Sequence, residues 1–337
     1  MTRFDPARRQ FLAFGGTSLA LASIMANART PLPEGTDERQ PATSAAPEAP
    51  SSPLITASDA THRLTVDAHI NGLGPYRFLV DTGADRSVLA AEVAAAIGLT
   101  LGDSVTLRGV VRAIATQTVR IRDLAFGSIR CRNLAIPTLP AALLGADGYL
   151  GLDVLDRHLV TLDFKGHTLQ VTEPRSRFSA FWAAPENEAR VHATGTLGHL
   201  RAVNCIVDGV AAAAFIDTGA EVSAGNTALQ AALISRDARN QTLGPVYVTD
   251  VTGGSISGSG TIIRSIQLNE VTFTNCPLMV ADFEVFNVWG LRSRPALLIG
   301  VNLLRQFARV SIDYGLKELR FDLAGLRSPG LWSIDTA

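Results

Sequence analysis

The fold is decided by a stretch that occurs twice, first as Phe78-Leu79-Val80-Asp81-Thr82-Gly83-Ala84 and again as Phe215-Ile216-Asp217-Thr218-Gly219-Ala220. In each copy an apolar, strand-like run ends at an Asp-Thr-Gly-Ala loop, and a carboxylate follows directly, Asp85 or Glu221. A single Asp-Thr-Gly is an ordinary turn sequence, because Asp and Gly both favour turns. Two copies in matched settings instead predict two aspartates that act together.

A pair of carboxyl groups can hydrolyse a peptide bond without a metal or a covalent intermediate. One carboxylate takes a proton from water as general base, while the other, still protonated, polarises the carbonyl. Carboxyl groups about 3 Å apart share one proton and titrate as a unit. The glycine lets the loop turn tightly, and the threonine hydroxyl can hydrogen-bond to the partner loop. We therefore predict that Asp81 and Asp217 form a catalytic pair.

The repeat extends beyond the two loops. Three pairs of segments correspond in the same order: Asn71-Gly72 with Asp208-Gly209, Tyr149–Leu155 with Leu298–Leu304, and Val160–Phe164 with Val310–Tyr314. The first pair consists of hairpin-turn dipeptides, and the other two contain strand-like runs. This ordered correspondence predicts two copies of one β-rich unit.

On these motifs the chain resembles the aspartic proteases, and more closely their retropepsin-like branch, over roughly residues 60 to 325. The hydrophobic segments that end at Gly151 and Gly300 carry the resemblance together with the two loops. It implies an all-β, bilobal acid-protease fold with short helices and an active site at the lobe interface. Because both units lie on one polypeptide, the resemblance implies a monomer that assembles its own active site.

The resemblance also implies roles for individual residues. It assigns the nucleophilic water to Asp81 and Asp217, and expects the two threonines to interlock across the lobe interface. The other implied positions are Thr82, Gly83, Thr218 and Gly219 as active-site support; Gly83, Asp85, Gly219, Glu221, Gly253 and Gly254 as substrate contacts; and Gly151 and Gly300 as structural glycines. No cofactor and no metal are expected.

A flap that covers substrate is expected in such a fold. The first-lobe stretch Val105–Ile121 has neither the aromatic residue of a pepsin flap nor the glycine-rich tip of a retropepsin flap. The second-lobe segment Thr252–Gly258 fits a mobile hairpin tip better, and an ordinary surface hairpin fits it equally. Both Asp-Thr-Gly loops end in Ala, whose side chain has no hydroxyl to hydrogen-bond the carboxylate, so we expect activity toward neutral pH.

The N-terminus has the pattern of an export signal. Arg8-Arg9-Gln10-Phe11-Leu12 matches a twin-arginine motif, and an apolar run leads to the small-x-small sequence Ala26-Asn27-Ala28. We predict a periplasmic or secreted bacterial protein, with an uncleaved anchor as the alternative. The predicted organisation is 1–28 signal peptide, 29–55 disordered Pro/Ala/Ser-rich tether or propeptide, 56–172 N-terminal lobe, 173–190 linker, 191–326 C-terminal lobe and 327–337 tail.

Composition excludes several other classes of protein. The 337 residues are 47% hydrophobic with a net charge of −1, which gives two lobes enough core and no electrostatic footprint for nucleic acid. The six histidines form no His-Glu-x-x-His pair, and neither a Gly-x-Ser-x-Gly elbow nor a phosphate-binding loop occurs. Of the three cysteines, Cys205 and Cys276 could pair as a disulfide in an oxidising compartment, which the sequence leaves open.

These observations predict an aspartic endopeptidase that binds extended periplasmic or envelope polypeptides between its lobes. Two alternatives stay open: a non-catalytic peptide-binding or scaffold protein with the same fold, and an enzyme activated only when a partner protein orders its flap.

Short helices are predicted at Val88–Ile97, Asp153–His158, Thr227–Leu233 and Asn302–Phe307.

Overall fold

The computed structural model describes residues 64–172, 188–196, 199–236 and 241–323, together with five short strands near the ends of the chain. Most of the predicted signal peptide, tether, interlobe linker and tail lies outside the described residues. The short strands are Leu19–Leu21, Met25–Ala26, Leu54–Ile55, Ala57–Ser58 and Ser333–Ile334.

The first half of the chain is built from strands and three short helices. They are β1 (Leu64–Ile70), β2 (Leu73–Val80), β3 (Val88–Ala90), α1 (Ala91–Ala96), β4 (Leu101–Arg108), β5 (Ala113–Phe126), β6 (Ile129–Leu139), α2 (Ala141–Leu144), β7 (Gly148–Leu150), α3 (Leu152–Leu155), β8 (Leu159–Asp163) and β9 (Thr168–Thr172).

The second half opens with one additional strand, β10 (Glu188–Thr196), and then repeats the same order of elements. They are β11 (His199–Val207), β12 (Val210–Ile216), β13 (Ala224–Gly225), α4 (Thr227–Ser235), β14 (Gln241–Asp250), β15 (Ser255–Leu268), β16 (Val271–Val280), α5 (Glu284–Val288), β17 (Ala296–Ile299), α6 (Val301–Leu304), β18 (Arg309–Asp313) and β19 (Glu318–Asp322).

Each half closes six of its strands into a barrel. In the first half the ring runs β5-β6-β3-β7-β2-β1 and closes where β1 pairs with β5. In the second half it runs β15-β16-β13-β17-β12-β11 and closes where β11 pairs with β15. The identical strand order in the two halves confirms the predicted all-β, bilobal fold made from two copies of one unit.

A sheet shared by the two halves joins the barrels. Strand β8 pairs antiparallel with β18, and the sheet extends through β9 on one side and through β19 and β10 on the other. The central pair is Thr161 and Ser311, whose hydroxyl oxygens lie 3.0 Å apart. Because β8 and β18 are equivalent strands, this pairing relates the two lobes by an approximate two-fold axis. This sheet was not predicted from the sequence.

The predicted hairpin turns form in both units. Asn71 and Gly72 have φ angles of 52° and 83°, and Asp208 and Gly209 have 43° and 82°. These left-handed values are typical of a tight type I′ turn, which is why Asn, Asp and Gly occur there. The Asn71 and Asp208 side chains also accept backbone N–H groups from β5 and β15 at 2.8 to 3.2 Å. Each turn therefore fixes the hairpin that packs beside it.

The predicted helices need correction at their ends. The segment Val88–Ile97 is strand β3 followed by α1, because residues 88–90 pair with β6 and β7, and this pairing overrides local helix propensity. The segments Asp153–His158 and Asn302–Phe307 are the shorter α3 and α6, which begin directly after Gly151 and Gly300. Helix α4 extends Thr227–Leu233 to Ser235. The sequence analysis does not predict α2 and α5.

The three cysteines, Cys131, Cys205 and Cys276, are free thiols in this structure. Cys205 lies opposite Leu268 on β15, whereas Cys276 lies opposite Ile263, well separated along the same strand. The disulfide between Cys205 and Cys276, which the sequence left open, is therefore not formed in this structure. Burial raises the pKa of each of these two thiols to about 12.

A cluster of buried apolar side chains runs through both barrels and under the shared sheet, from Val66 to Leu323. In its aromatic centre in the second lobe the rings of Phe307 and Phe321 are tilted against each other, with centroids 4.8 Å apart, and Phe273 meets both rings edge-on. No helix in the described part of the chain is both long and apolar enough to cross a membrane.

Candidate active site

The two Asp-Thr-Gly loops follow equivalent strands and are held in the same way. Asp81 directly follows β2 and donates its backbone N–H to the Leu150 carbonyl at 3.0 Å; Asp217 directly follows β12 and donates its backbone N–H to the Ile299 carbonyl at 3.0 Å. Each carboxylate accepts the N–H of the glycine two residues later at 2.9 Å. Both aspartates have 0% exposure. The sequence repeat thus gives two buried carboxyl groups in matching backbone settings.

Reciprocal hydrogen bonds between Thr82 and Thr218 join the loops across the lobe boundary. The N–H of Thr82 donates to Oγ1 of Thr218 at 3.0 Å, and the N–H of Thr218 donates to Oγ1 of Thr82 at 3.1 Å. Each hydroxyl then donates to the other lobe's strand, at the carbonyls of Ile216 (3.2 Å) and Val80 (2.7 Å). These four buried bonds bring the expected site residues of the two lobes together.

Gly151 and Gly300 let a short segment cross directly behind each loop. A Cβ on Gly151 would lie 2.5 Å from the backbone carbon of Arg86, and one on Gly300 would lie 2.7 Å from the carbonyl oxygen of Ala220. Side chains do not tolerate contacts this short against backbone, so glycine is required. The residues that follow, at the starts of α3 and α6, donate N–H groups at 2.8 Å to the alanine carbonyls that end the two loops.

A second matched pair, which the sequence analysis missed, braces each loop from below. Ser87 donates its N–H and hydroxyl to Asp153 at 2.8 and 2.7 Å, and Ser223 donates the same groups to Asn302 at 2.9 and 2.8 Å. Each serine oxygen then accepts the N–H of Gly151 or Gly300. The repeat contained the signal, because each serine stands six residues after its aspartate. Burial raises the pKa of Asp153.

The carboxylate that follows the first motif, Asp85, reaches the opposite lobe. Asp85 Oδ1 lies 2.8 Å from Nε2 of His199, which belongs to the second lobe and has a side chain only 3% exposed. An ionised carboxylate can only accept, so Nε2 carries the hydrogen of this bond. Glu221 is half-buried, and its backbone carbonyl accepts the N–H of Asn302 at 3.1 Å. The pairing of Asp85 with the second lobe has no signal in the local sequence.

Both lobes have a flap hairpin, and the two tips meet. The first hairpin is β4 and β5 with its tip at residues 109–112, and the second is β14 and β15 with its tip at 251–254. Gly253 and Gly254, expected to contact substrate, lie against the Arg112 side chain of the first tip. The first-lobe flap, whose sequence lacks the family's markers, is therefore a complete hairpin that reaches the opposite lobe.

The tip of the first flap is packed into the second lobe. Val110 has 0% exposure and joins an apolar cluster of that lobe, and its carbonyl accepts the N–H of Glu284 at the start of α5. Trp289, just after α5, stacks on Phe215 with ring centroids 4.1 Å apart. Phe215 stands two residues before Asp217, and Ala220 at the end of the second loop belongs to the same cluster, so this cluster borders the second Asp-Thr-Gly loop. Helix α5, which makes this contact with the first flap, was not predicted from the sequence.

In the ranges that the structure describes, no group of three or more His, Cys, Asp or Glu side chains is placed to hold a metal ion.

Comparison with known protein families gives a match to the aspartyl protease model over two regions, residues 66–154 and 203–303. The chain belongs to the aspartyl protease family. The two matched regions run from β1 to α3 and from β11 to α6, so the family unit occurs twice in one chain, which confirms the predicted duplicated, retropepsin-like member. This membership supports a protease-like hydrolase in general terms. A search of curated proteins found no match.

We expect Thr218→Val to destabilise this aspartyl protease by about 2–5 kcal/mol, because it leaves a buried N–H on Thr82 and a buried carbonyl on Val80 without partners. Urea unfolding measures the change. Thr218→Ser keeps the hydroxyl and serves as the matched control, with an expected loss of about 1 kcal/mol or less. A valine variant as stable as the serine variant would contradict a structural role for the interlock.

We expect Asp153→Asn to gain stability relative to the wild type as pH rises. Because burial raises the folded-state pKa of Asp153 above its unfolded value, ionisation costs stability once pH passes the unfolded pKa. Asparagine can accept the same two bonds from Ser87 and stands at the equivalent position in the second lobe, Asn302. Urea unfolding between pH 4 and 8 measures the difference. A difference that does not vary with pH would exclude this explanation.

Proposed function

We propose that the protein is an aspartic endopeptidase that hydrolyses peptide bonds of extended polypeptides, with Asp81 and Asp217 as the catalytic pair. The observation that carries the proposal is the reciprocal Thr82–Thr218 bonding, which holds one aspartate from each lobe in matching surroundings at the lobe boundary. Family membership supports the same chemistry at the level of a protease.

The environment of the dyad supports its use in acid-base catalysis. Both carboxyl groups are fully buried, and neighbouring like charges are costly out of water, so one proton shared by the pair is the favoured state. In the reaction the ionised carboxylate removes a proton from the attacking water, and the protonated one donates a hydrogen bond to the substrate carbonyl. The water adds to the carbonyl carbon, and protonation of the amide nitrogen then releases the amine.

An extended substrate would bind by main-chain hydrogen bonds between the lobes. The carbonyls of Gly83 and Gly219 are the first acceptors we propose, with Asp85 and Glu221 farther along the substrate. Asp85 has one carboxylate oxygen on His199, and its second oxygen can accept a substrate N–H. The flap residues Gly253 and Gly254 would close over the chain after a rearrangement of the tips.

The N-terminal motif supports export to the periplasm or the cell exterior of a bacterium by the twin-arginine route. Periplasmic or envelope proteins and their unfolded segments are therefore the proposed substrates. Because both halves of the site come from one chain, the protein is proposed to act as a monomer without metal or cofactor.

A second candidate is a peptide-binding or scaffold protein that keeps this fold without turnover. The observation in its favour is that both aspartates have 0% exposure, with the two flap tips joined. The partner-activated enzyme is a related case, in which the tips separate only when another protein binds.

Substituting either aspartate tests the catalytic proposal. We expect Asp81→Asn and Asp217→Asn each to lower the cleavage rate of an unfolded protein by at least about 100-fold, because each removes the acid-base function. The residues 29–337 protein is incubated with casein, and products are identified by mass spectrometry. Asp67→Asn, an exposed position on β1, is the matched control with unchanged activity. Cleavage that survives both dyad substitutions would refute the mechanism, and binding without cleavage would favour the scaffold.

The pH profile tests the environment of the dyad. Ala84 and Ala220 are fully buried and place methyl groups where a hydroxyl could stabilise the ionised carboxylate. We therefore expect kcat/KM to remain measurable toward neutral pH, and expect Ala84→Ser combined with Ala220→Ser to move the upper limb to lower pH. Initial rates between pH 3 and 8 give both profiles. A wild-type rate that disappears above pH 5 would contradict the expectation.

A further inference from the structure

The two aspartates of the proposed catalytic pair are closed off from solvent in this structure. Asp81 and Asp217 both have 0% exposure, so a polypeptide cannot reach either carboxyl group in this arrangement. The first flap contacts the apolar cluster that contains Ala220, at the end of the second motif loop. Opening the cleft therefore requires the flap tips to leave their positions.

One carboxylate connects the two tips. Asp250 lies at the end of β14, is only 2% exposed, and accepts the N–H of Val111 from the first flap through Oδ2 at 2.9 Å. Its other oxygen, Oδ1, accepts from its own tip: the N–H and hydroxyl of Thr252 at 2.9 and 2.5 Å and the N–H of Gly254 at 3.0 Å. The two oxygens thus divide their bonds between the lobes.

Residues of both flap tips pack closely around the hydrogen bond between Asp250 and Val111. A Cβ on Gly109 would lie 2.1 Å from Oδ2 of Asp250 and 2.8 Å from the Thr252 methyl group, so the first tip can approach only because residue 109 is glycine. The Arg112 guanidinium donates to the carbonyl of Thr252 and, at 3.4 Å, to its hydroxyl. The first tip therefore supplies one backbone donor, the N–H of Val111, and one cation, Arg112. Both contact the second tip, whose Asp250 carboxylate is buried.

We propose that Asp250 is a positioning residue that clasps the two flap tips together through its hydrogen bond to Val111. Both flaps open when this bond breaks. The clasp is asymmetric, because the second flap supplies the acceptor carboxylate and the first supplies the donors. Its consequence for substrate entry rests on the proposed function, whereas the clasp itself does not.

The competing explanation is that Asp250 only shapes its own turn through Oδ1. The two roles differ in what happens to the opposite lobe. Removing the clasp loosens residues 109–113 of the first flap, whereas removing a turn residue loosens only residues 250–255.

Hydrogen exchange followed by mass spectrometry tests the clasp without any assay of activity. We expect Asp250→Ala to speed exchange at least about 10-fold in both 109–113 and 250–255, because a hydrogen bond to a charged group is lost in each flap. Gly109→Ala approaches from the other lobe, changes no residue of the Asp250 turn, and should speed exchange at Val111 because its methyl group pushes the first tip away from Asp250. Asp103→Ala removes an exposed carboxylate from β4 and is the matched control with unchanged exchange.

Exchange that rises in 250–255 alone would reduce Asp250 to a local turn residue and overturn the proposal. Unchanged protection of Val111 in Gly109→Ala would also overturn it.

Binding kinetics test the consequence for access. Fluorescein-labelled casein is mixed in a stopped-flow instrument with Asp81→Asn protein, which should bind without cleavage, and with the same protein carrying Asp250→Ala. We expect the association rate constant of the double variant to be at least about 3-fold higher, because loss of the clasp makes flap opening easier. An equal rate would show that the clasp does not limit entry and would overturn that part of the proposal. If casein binds neither protein, the proposed function fails, while the exchange result still decides the clasp.

Discussion

The meeting of the two Asp-Thr-Gly loops depends on the hydrogen bonds that Thr82 and Thr218 exchange across the lobe boundary. Each hydroxyl both accepts from the other loop and donates to the other lobe's strand, so neither threonine is satisfied within its own half. In a buried site an unmatched donor or acceptor is costly, which makes this pairing strongly preferred over any slipped arrangement. The position of the two aspartates follows from it.

Duplication within one chain has allowed the two halves to diverge while the frame stays the same. Ser87 and Ser223 brace their loops in the same way, yet the first lobe uses Asp153 where the second uses Asn302. The flaps diverge further, since one tip carries the buried Val110 and the other carries Asp250. A homodimer could not make such changes on one side alone. The asymmetry of the cleft is thus a direct product of having both units on one polypeptide.

Much of the fold could be predicted because its signals are local and repeated. The Asn71-Gly72 and Asp208-Gly209 turns and the glycines at 151 and 300 each need a particular backbone conformation or clearance, which the sequence records at that position. The Asp-Thr-Gly loops are recognisable because the same residues occur twice after matching strands. Two occurrences at matching places made the interpretation secure. Ser87 and Ser223 carry the same kind of signal, but serine is common in many settings and stands out only when the two copies are aligned.

The remaining features depend on which distant segments meet, and local patterns do not encode that. The β8–β18 pairing, the contact of Asp85 with His199, and the position of Val110 in the second lobe all join residues from different halves. The first flap was the weakest expectation for the same reason. The position of its tip depends on contacts with a surface about 170 residues farther along the chain, where Glu284 and Phe286 lie. The tip has no glycine-rich motif of its own that would predict this position.

The sheet formed by β8 and β18 has a consequence for how such a chain can be divided. Separated halves would each expose an unpaired strand edge, with its backbone N–H and C=O groups open to any similar strand. Because the two edges have related sequences, a lone half can pair with a second copy of itself as readily as with its natural complement. Covalent linkage keeps the correct complement at high local concentration, and so protects the chain from self-association while it folds.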